Sequence, residues 1–247
     1  MKRIDEMTLT ILSRVSVEDN KVFLTCGQLD RKDYQAVNKI LELMGGKWNR
    51  KGKAHIFPED PTERLEHVLL TGQIEEPKKY GYFPTPKKVA EYIIELADIS
   101  SDHYVLEPSA GQGALADLVL GTGAVVDCIE LQSDNVAVLK EKNHSVIAGD
   151  FLSIPAASVY DRVLMNPPFS KQTDIDHVLH ALYFLKEGGK LVSIMSAGVL
   201  FRDNKKTKDF REMVRSAGGI FERLPEGSFK ESGTMVNTCV LVMERTA

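Results

Sequence analysis

The chain has 247 residues, of which 43% are hydrophobic and 27% are charged. This composition is typical of a globular protein, and it excludes a collagen-like chain, a coiled coil and a wholly disordered chain. The formal net charge of −4 means that any contact with nucleic acid must come from a local basic patch.

Cysteine usage and hydropathy indicate the compartment. Cys26, Cys128 and Cys239 are widely separated and form no CxxC pair, so they predict neither a disulfide framework nor a cysteine-based zinc site. The first residues carry acids where a signal peptide would be apolar, and no later run approaches the length of a membrane span. We therefore expect a cytoplasmic protein without membrane contact.

A change in charge near residue 80 predicts two domains. Residues 1–80 carry a net charge of +1, and residues 81–247 carry −5. The polar residues 71–79 contain Gly and Pro without an apolar period, which is typical of a linker. We predict a small α/β accessory domain at 1–79 and a larger domain at 80–247.

The small domain is expected to combine short strands with two helices. The patterns predict a strand at 21–25, a helix at 30–44, a hairpin at 47–57 and a helix at 61–70. The hairpin contains no acid and four basic residues, which favour contact with nucleic-acid phosphates: Lys47, Arg50, Lys51 and Lys53. Its Trp48 is either an anchor of the small domain or a contact to nucleic acid.

From residue 86 onward, helices and strands alternate. Helices are predicted at 87–96, 114–120, 134–141 and 178–185, and strands at 104–106, 124–129, 145–148, 162–165, 190–195, 220–224 and 236–243. Nearly continuous apolar strands between amphipathic helices predict an α/β fold with a doubly wound, Rossmann-like and mainly parallel sheet. The last two strands lack an intervening helix, so we expect an antiparallel hairpin at the sheet edge.

The turn after the first strand of this sheet carries glycines at a spacing that suits a bound ligand. Gly111 and Gly113 allow close approach of the backbone, and the helix that follows offers free N–H groups. With Ala116 they also fit the dinucleotide fingerprint, so a dehydrogenase is one interpretation. Glu107 and Pro108 argue against it, because an acid beside the glycines suits a cationic, amino-acid-like ligand.

Two further acids follow the next strands. Glu130 lies 19 residues after Gly111, where a carboxylate can accept hydrogen bonds from ribose hydroxyls. Asp150 is placed to accept from the amino group of an adenine, with Phe151 packing on its ring. Each acid alone is more simply explained as a solvated carboxylate at the end of a strand. The order of the two acids along the chain, after the glycine turn, favours a nucleoside site.

The strand predicted at 162–165 leads into Asn166-Pro167-Pro168-Phe169. Two prolines fix the backbone at a strand end, where open α/β sheets present reactive groups. The Asn166 amide oxygen and the Pro167 carbonyl would accept hydrogen bonds, and Phe169 would stack, so the turn suits a planar base with an amino group.

This combination of motifs resembles the class I S-adenosylmethionine-dependent methyltransferases, and specifically the DNA adenine-N6 methyltransferases with an N-P-P-[FY] motif. The resemblance covers about residues 80–245. It implies S-adenosyl-L-methionine as cofactor and transfer of its methyl group to the N6 amino group of adenine in DNA. The catalytic residues it implies are Asn166, Pro167, Pro168 and Phe169. The cofactor contacts it implies are Phe83, Thr85, Pro86, Glu107, Pro108, Ala110, Gly111, Gly113, Glu130, Leu131, Asp150, Phe151 and Asn166.

The resemblance ends without a large C-terminal target-recognition domain, so we expect a departure from that family in how the target sequence is recognised. DNA is the expected partner, together with a separate recognition subunit or a second copy of the chain. A second basic stretch after the strand at 190–195 is a candidate phosphate-contacting loop near the mouth of the site: Arg202, Lys205, Lys206 and Lys208.

Several alternatives stay open. N-P-P-F turns also serve methylation of an RNA base amino group or a protein glutamine amide, and an inactive cofactor-binding subunit of a DNA-binding complex is a third interpretation. His177 and His180 lack a third ligand, so no metal site is predicted. Cys128 lies in an apolar strand and is expected to be a core residue rather than a nucleophile.

Overall fold

The computed structural model describes residues 4–74 and 83–246, and the chain divides into two units. The smaller unit comprises Met1–Tyr80 and Gly198–Asp209, and the larger comprises Gly81–Ala197 and Phe210–Ala247. Most of the predicted linker, residues 75–79, lies outside the described residues.

The N-terminal part of the smaller unit combines three helices with a four-stranded antiparallel sheet of order β1-β2-β4-β3. The expected strand, hairpin and two helices are present, whereas α1 and β1 escape the sequence pattern because each is only a few residues long. The elements are α1 (Glu6–Leu12), β1 (Ser16–Glu18), β2 (Lys21–Phe23), α2 (Arg31–Leu43), β3 (Lys47–Asn49), β4 (Ala54–Ile56) and α3 (Thr62–Thr71).

Local sequence explains the long helix of this unit. The side chain of Asp30 accepts a hydrogen bond from the backbone N–H of Asp33 at 2.8 Å and so caps the start of α2. Val37 and Leu41 lie one turn apart and are fully buried with Leu12 and Val22 in the core of the unit. The apolar stripe of α2 therefore covers the sheet.

The larger unit is an α/β layer structure in which α4 precedes the first strand of the sheet. Its elements up to the end of the ninth strand are α4 (Lys87–Ala97), β5 (Tyr104–Pro108), α5 (Ala116–Leu120), β6 (Val125–Glu130), α6 (Ser133–Glu141), β7 (Ser145–Ala148), β8 (Tyr160–Met165), α7 (Thr173–Ala181) and β9 (Leu185–Ser196). The chain continues with α8 (Gly198–Phe201), α9 (Lys205–Ser216), β10 (Ile220–Arg223) and β11 (Thr238–Glu244).

The seven-stranded sheet has the order β10-β11-β9-β8-β5-β6-β7. Strands β7, β6, β5, β8 and β9 are parallel, and β11 pairs antiparallel with both β9 and β10. This confirms the predicted doubly wound, mainly parallel sheet with an antiparallel edge. The strand order reverses between β5 and β8, and ligands of open α/β sheets bind outside the carboxyl ends of the strands at such a switch point.

One predicted helix boundary is wrong. The pattern predicts a helix over 178–185, but α7 spans Thr173–Ala181 and β9 already begins at Leu185. Gly188 and Gly189 pair with the backbone of Arg245 at 2.9 and 2.8 Å, so this segment extends the sheet instead of ending the helix.

The segment 198–209 is the main departure from the predicted domains. The sequence suggests one break near residue 79, whereas the structure groups these residues with the smaller unit. Phe201 packs against the core of that unit, and the backbone N–H of Asp203 donates to the hydroxyl oxygen of Ser13. The contact between Ser13 and Asp203 spans 190 residues of sequence, and Phe201 is equally remote from any neighbour in sequence that would indicate its packing, so no local pattern reveals them.

Cys128 is a core residue, as predicted. It lies on β6, it is fully buried, and burial raises the pKa of its thiol.

Candidate functional site

The turn after β5 has a backbone that most residues avoid. Ser109, Gly111 and Gly113 have φ angles of 62°, 55° and 83°. Glycine is required at 113, because a Cβ atom there would lie 2.9 Å from Leu139 Cδ2 and 3.2 Å from His144 Nε2. Ser109 holds a left-handed conformation that is uncommon for a residue with a side chain and that concentrates at functional sites.

The buried side chain of Glu107 holds the backbone of this turn by a hydrogen bond. Its side chain is buried, and Oε2 accepts a hydrogen bond from the backbone N–H of Ala116 at 2.7 Å, at the start of α5. Burial raises the pKa of Glu107 to about 8, although the N–H groups of Ala116 and Leu115 favour the charged form. The sequence suggested that Glu107 pairs with a cationic ligand. In this structure the carboxyl group instead holds the backbone that forms the site.

Glu130 connects the end of β6 to the same turn. Its Oε2 accepts from the N–H of Gly111 and its Oε1 accepts from the N–H of Gln132, both at 2.7 Å. Each carboxylate oxygen has two lone pairs, so each can accept one further hydrogen bond. The acid thus has the capacity expected for a ribose contact while it holds the glycine turn in place.

Pro108 and Ala110 complete the turn. Both are buried, and the N–H of Ala110 donates to the carbonyl oxygen of Ile129 on the neighbouring strand at 3.0 Å. The turn is therefore tied to the end of β6 by main-chain and side-chain hydrogen bonds.

Asp150 lies at the next strand end. It is exposed, and its carboxylate accepts from the N–H of Leu152 at 3.1 Å and from the hydroxyl of Ser153 at 3.2 Å. The N–H of Gly149 donates to the carbonyl oxygen of Glu130 at 2.9 Å, so the two predicted nucleoside acids follow adjacent, hydrogen-bonded strand ends.

Phe151 does not offer the stacking face that the sequence suggested. Its ring is 3% exposed and packs against His177, His180 and Phe184, with centroids 4.8–5.6 Å apart. Two aliphatic side chains beside the acids are exposed instead, Leu131 by 69% and Leu152 by 38%. The exposed apolar surface beside these acids therefore comes from leucines, of which the sequence predicted Leu131 and missed Leu152.

Asn166 follows β8 and is half-buried. Its amide nitrogen Nδ2 lies 3.1 Å from Thr85 Oγ1 and 3.3 Å from the carbonyl oxygen of Phe83. Because both partners accept, the amide oxygen Oδ1 faces away from them, and no residue in the described part of the chain donates a hydrogen bond to it. The structure thus brings together two motifs that lie more than 80 residues apart.

The residues beside Asn166 fix the turn. Pro167 is buried, Pro168 is exposed, and Phe169 is half-buried against the core of the larger unit. The Thr173 hydroxyl lies 2.9 Å from the carbonyl oxygen of Pro168. Lys171 and Gln172 follow with φ angles of 53° and 60°, a pair of left-handed residues that the sequence did not reveal.

The segment at 83–86 has a second support that sequence reasoning missed. Ser232 lies on the loop before β11, and its hydroxyl donates to the carbonyl oxygen of Pro84 at 2.6 Å. Pro86 is buried and immediately precedes α4. No local signal links residues 84 and 232, because they are 148 positions apart.

The eight predicted phosphate-contacting residues all belong to the smaller unit. The side chains of Lys47, Arg50, Lys51 and Lys53 are exposed. Arg202 is different, because it is buried and forms two hydrogen bonds with the Glu66 carboxylate at 2.8 and 3.2 Å. The prediction for Arg202 is therefore wrong, since a buried and paired guanidinium has no surface for phosphate.

The other three basic residues of that stretch lie on α9 and not in the predicted loop. Lys205 forms an ion pair with Asp209 at 2.6 Å, and Lys208 forms one with Asp203 at 2.6 Å. Lys206 is half-buried. Such exposed pairs are weak, so the two lysines remain candidates for phosphate contact, but less clear ones than the hairpin residues.

The histidines of α7 are structural. His177 Nδ1 lies 2.8 Å from the carbonyl oxygen of Thr173, and His180 Nε2 lies 3.0 Å from that of Ile154. Burial lowers the pKa of His177. Within residues 4–74 and 83–246 no group of three or more His, Cys, Asp or Glu side chains could hold a metal, and no helix has the length and hydropathy to cross a bilayer.

Comparisons with known proteins agree with this geometry. Residues 160–247 match the family model described as N-6 DNA Methylase. The ribosomal RNA small subunit methyltransferase A of Syntrophus aciditrophicus (strain SB) is 27% identical over 151 residues, which covers 56% of this chain and 53% of that protein. The chain thus spans about half the length of this curated relative.

Two solved structures share the fold. A modification subunit of a proposed type I restriction enzyme from Vibrio vulnificus YJ016 aligns with a TM-score of 0.58 at 16% identity, covering 68% of this chain and 46% of that one. A proposed RNA methyltransferase from Pyrococcus horikoshii aligns with a TM-score of 0.51 at 22% identity, covering 70% and 89%. These findings confirm the resemblance to S-adenosylmethionine-dependent methyltransferases, and S-adenosylmethionine is the cofactor that this fold implies.

Proposed function

We propose that the larger unit transfers a methyl group from S-adenosylmethionine to the exocyclic N6 amino group of adenine in DNA. The observation that carries this proposal is the orientation of Asn166. Its amide nitrogen is held by Phe83 and Thr85, so its amide oxygen is the atom available to a ligand at the switch point of the sheet.

The residues at the other strand ends fit the cofactor. Glu130 retains acceptor capacity for ribose hydroxyls, and Asp150 is an exposed acceptor for an adenine amino group. The exposed side chains of Leu131 and Leu152 suit the two apolar faces of an adenine ring. When bound, S-adenosylmethionine supplies an electrophilic methyl group on a sulfonium.

The residues of the Asn166–Phe169 turn suit the target base. Within the described residues the Pro167 carbonyl oxygen accepts no hydrogen bond, so it and Asn166 Oδ1 provide two acceptors for an amino group. Two such hydrogen bonds favour the pyramidal nitrogen that attacks a methyl carbon, and the rigid turn supplies orientation. The exposed part of Phe169 would stack on the base, which has to leave a duplex before it reaches the turn.

RNA adenine is the second candidate acceptor. The family model that matches residues 160–247 is one of DNA methylases, which supports DNA. The curated relative is named a ribosomal RNA methyltransferase, which favours RNA. We propose DNA as the first choice, with target recognition aided by a separate subunit or a second copy of the chain.

The test is a labelled-methyl assay on parallel acceptors. The purified chain is incubated with methyl-labelled S-adenosylmethionine and with duplex DNA, single-stranded DNA, ribosomal RNA or protein, and the labelled nucleosides are separated after digestion. Label in deoxyadenosine supports the proposal, and label in adenosine of RNA alone selects the second candidate. Label found only in protein, or in no acceptor, contradicts both.

A further inference from the structure

The chain has a single tryptophan, Trp48, and the structure leaves it at the surface. Its side chain lies on β3, at the edge of the small sheet, and is 43% exposed. The core of this unit is built by other residues, among them Leu12, Val22 and Leu41. The expectation that Trp48 anchors the small domain therefore does not explain its position.

The indole is held on a fixed support. Trp48 and His55 are directly opposite on β3 and β4, and their ring centroids are 5.1 Å apart with an interplanar angle of 57°. His55 is fully buried, and its Nε2 lies 2.8 Å from Asn38 Oδ1 on α2. Burial lowers the pKa of His55, so a neutral ring supports the indole.

Basic residues lie close to Trp48 in the sequence of the hairpin. Lys47 is its neighbour on β3, and Arg50, Lys51 and Lys53 occupy the adjoining turn. Asn49 Oδ1 accepts from the N–H of Gly52 at 2.7 Å, which fixes the turn that presents them. None of the four basic side chains forms an ion pair with another residue in the described part of the chain.

We propose that the Trp48 hairpin, residues 47–54, binds an unpaired segment of a polynucleotide. One base stacks on the exposed face of Trp48, and the flanking phosphates contact the hairpin lysines and Arg50. Exposed aromatic rings within basic surfaces bind single strands in this way, because every base has a face that can stack. This deepens the proposed function and rests on it, since it specifies that the substrate presents unpaired nucleotides to the smaller unit.

The single tryptophan gives a direct measurement. Intrinsic fluorescence of the full-length chain is titrated, without S-adenosylmethionine, with a twelve-residue oligodeoxythymidylate, with the matching oligouridylate and with a blunt duplex. The proposal expects saturable quenching by a single strand and weaker quenching by the duplex, and the two single strands distinguish DNA from RNA. Binding of the labelled oligonucleotide without any change in tryptophan fluorescence would overturn the proposal.

Variants of Trp48 test the stacking contact. Trp48→Ala should weaken binding of the labelled single strand by about 5- to 150-fold, which is the range for loss of one stacked base. Leu43→Ala is the matched control, because Leu43 is an exposed apolar side chain of the same unit and should leave binding unchanged. Trp48→Phe keeps an aromatic face and should retain part of the affinity, while circular dichroism checks that each variant folds.

The two proposals fail in different ways. Because the oligonucleotide titration needs no cofactor, it measures binding at Trp48 separately from methyl transfer. If Trp48→Ala binds normally while methyl transfer to a nucleic acid is intact, the stacking site is wrong and the proposed function stands. If quenching occurs but no acceptor is methylated, the stacking site stands and the proposed reaction is wrong.

Discussion

Asn166 Nδ2 donates a hydrogen bond to Thr85 Oγ1 over 3.1 Å, across 81 residues of sequence. Thr85 precedes α4, and Asn166 follows β8, so this contact joins the segment expected to hold the cofactor to the turn expected to hold the target. It also decides which end of the Asn166 amide is available for an incoming amino group.

Removal of the Thr85 hydroxyl should therefore lower turnover through Asn166. We expect Thr85→Val to reduce kcat by about 2- to 15-fold, because a hydrogen bond of this kind contributes roughly 0.5–1.5 kcal/mol. The amide would then lose one of the two acceptors that orient it. Steady-state kinetics give kcat and KM for the acceptor separately, and an unchanged kcat would show that the Phe83 carbonyl alone orients Asn166.

Replacement of Asn166 tests the proposed site of reaction. Asn166→Ala should lower methyl transfer by more than about 100-fold while binding of S-adenosylmethionine stays within about 3-fold, because the lost acceptor acts mainly in the transition state. Isothermal calorimetry and the labelled-methyl assay on the same preparation provide the two values. Turnover close to that of the unaltered chain would show that the turn is structural.

Asp150 is the most exposed of the predicted cofactor acids. Asp150→Ala should weaken binding of S-adenosylmethionine and of its demethylated product by about 10- to 150-fold, because a charge-assisted hydrogen bond contributes roughly 1.5–3 kcal/mol. Asp134→Ala is a matched control, since it removes the charge of another exposed acid of the larger unit. Equal affinities of the two variants would refute the assignment of Asp150.

Glu107 predicts a pH dependence of stability. The pKa of Glu107 is about 8 in the folded protein, against an ordinary value of 4.5. Between these two pH values the native protein therefore retains a proton that the unfolded chain has lost. The contribution of Glu107 is thus fully present below the unfolded pKa and is lost as pH rises toward the folded pKa. The slope is at most about 1.4 kcal/mol per pH unit.

Glu107→Gln isolates this effect. The free energy of unfolding, measured by urea titration between these two pKa values, should fall more steeply with pH in the unaltered chain than in the variant. The same dependence in both proteins would mean that Glu107 is ionised in the native state.

Sequence patterns predicted those candidate site residues that directly follow a predicted strand. The glycine turn, Glu130, Asp150 and Asn166 all follow strands of a parallel sheet, and the carboxyl ends of parallel strands share one edge. The apolar pattern of these strands extends over a few neighbouring residues, so it can be recognised in the sequence. The pairing of Asn166 with Thr85 was not predicted, because no local pattern links residues that are 81 positions apart.

The errors have a different cause. Arg202 was expected at a surface, but its partner Glu66 lies 136 residues away, and the ion pair needs the tertiary structure to form. Phe151 was expected to be exposed, but residues of α7 and Phe184 enclose its ring. In both cases burial depends on distant elements, and a local pattern of charge or aromaticity does not report it.

The central claim is that the Asn166–Phe169 turn presents the N6 amino group of adenine for methylation. The most direct measurement is mass spectrometry of nucleosides from DNA that carries ¹⁵N at the adenine amino group, after reaction with S-adenosylmethionine. We predict that the unaltered chain forms N6-methyldeoxyadenosine that retains the ¹⁵N label, and that Asn166→Ala does not form this product. A methyl group on adenine N1, on cytosine or on the phosphate backbone, formed equally by Asn166→Ala, would contradict the claim.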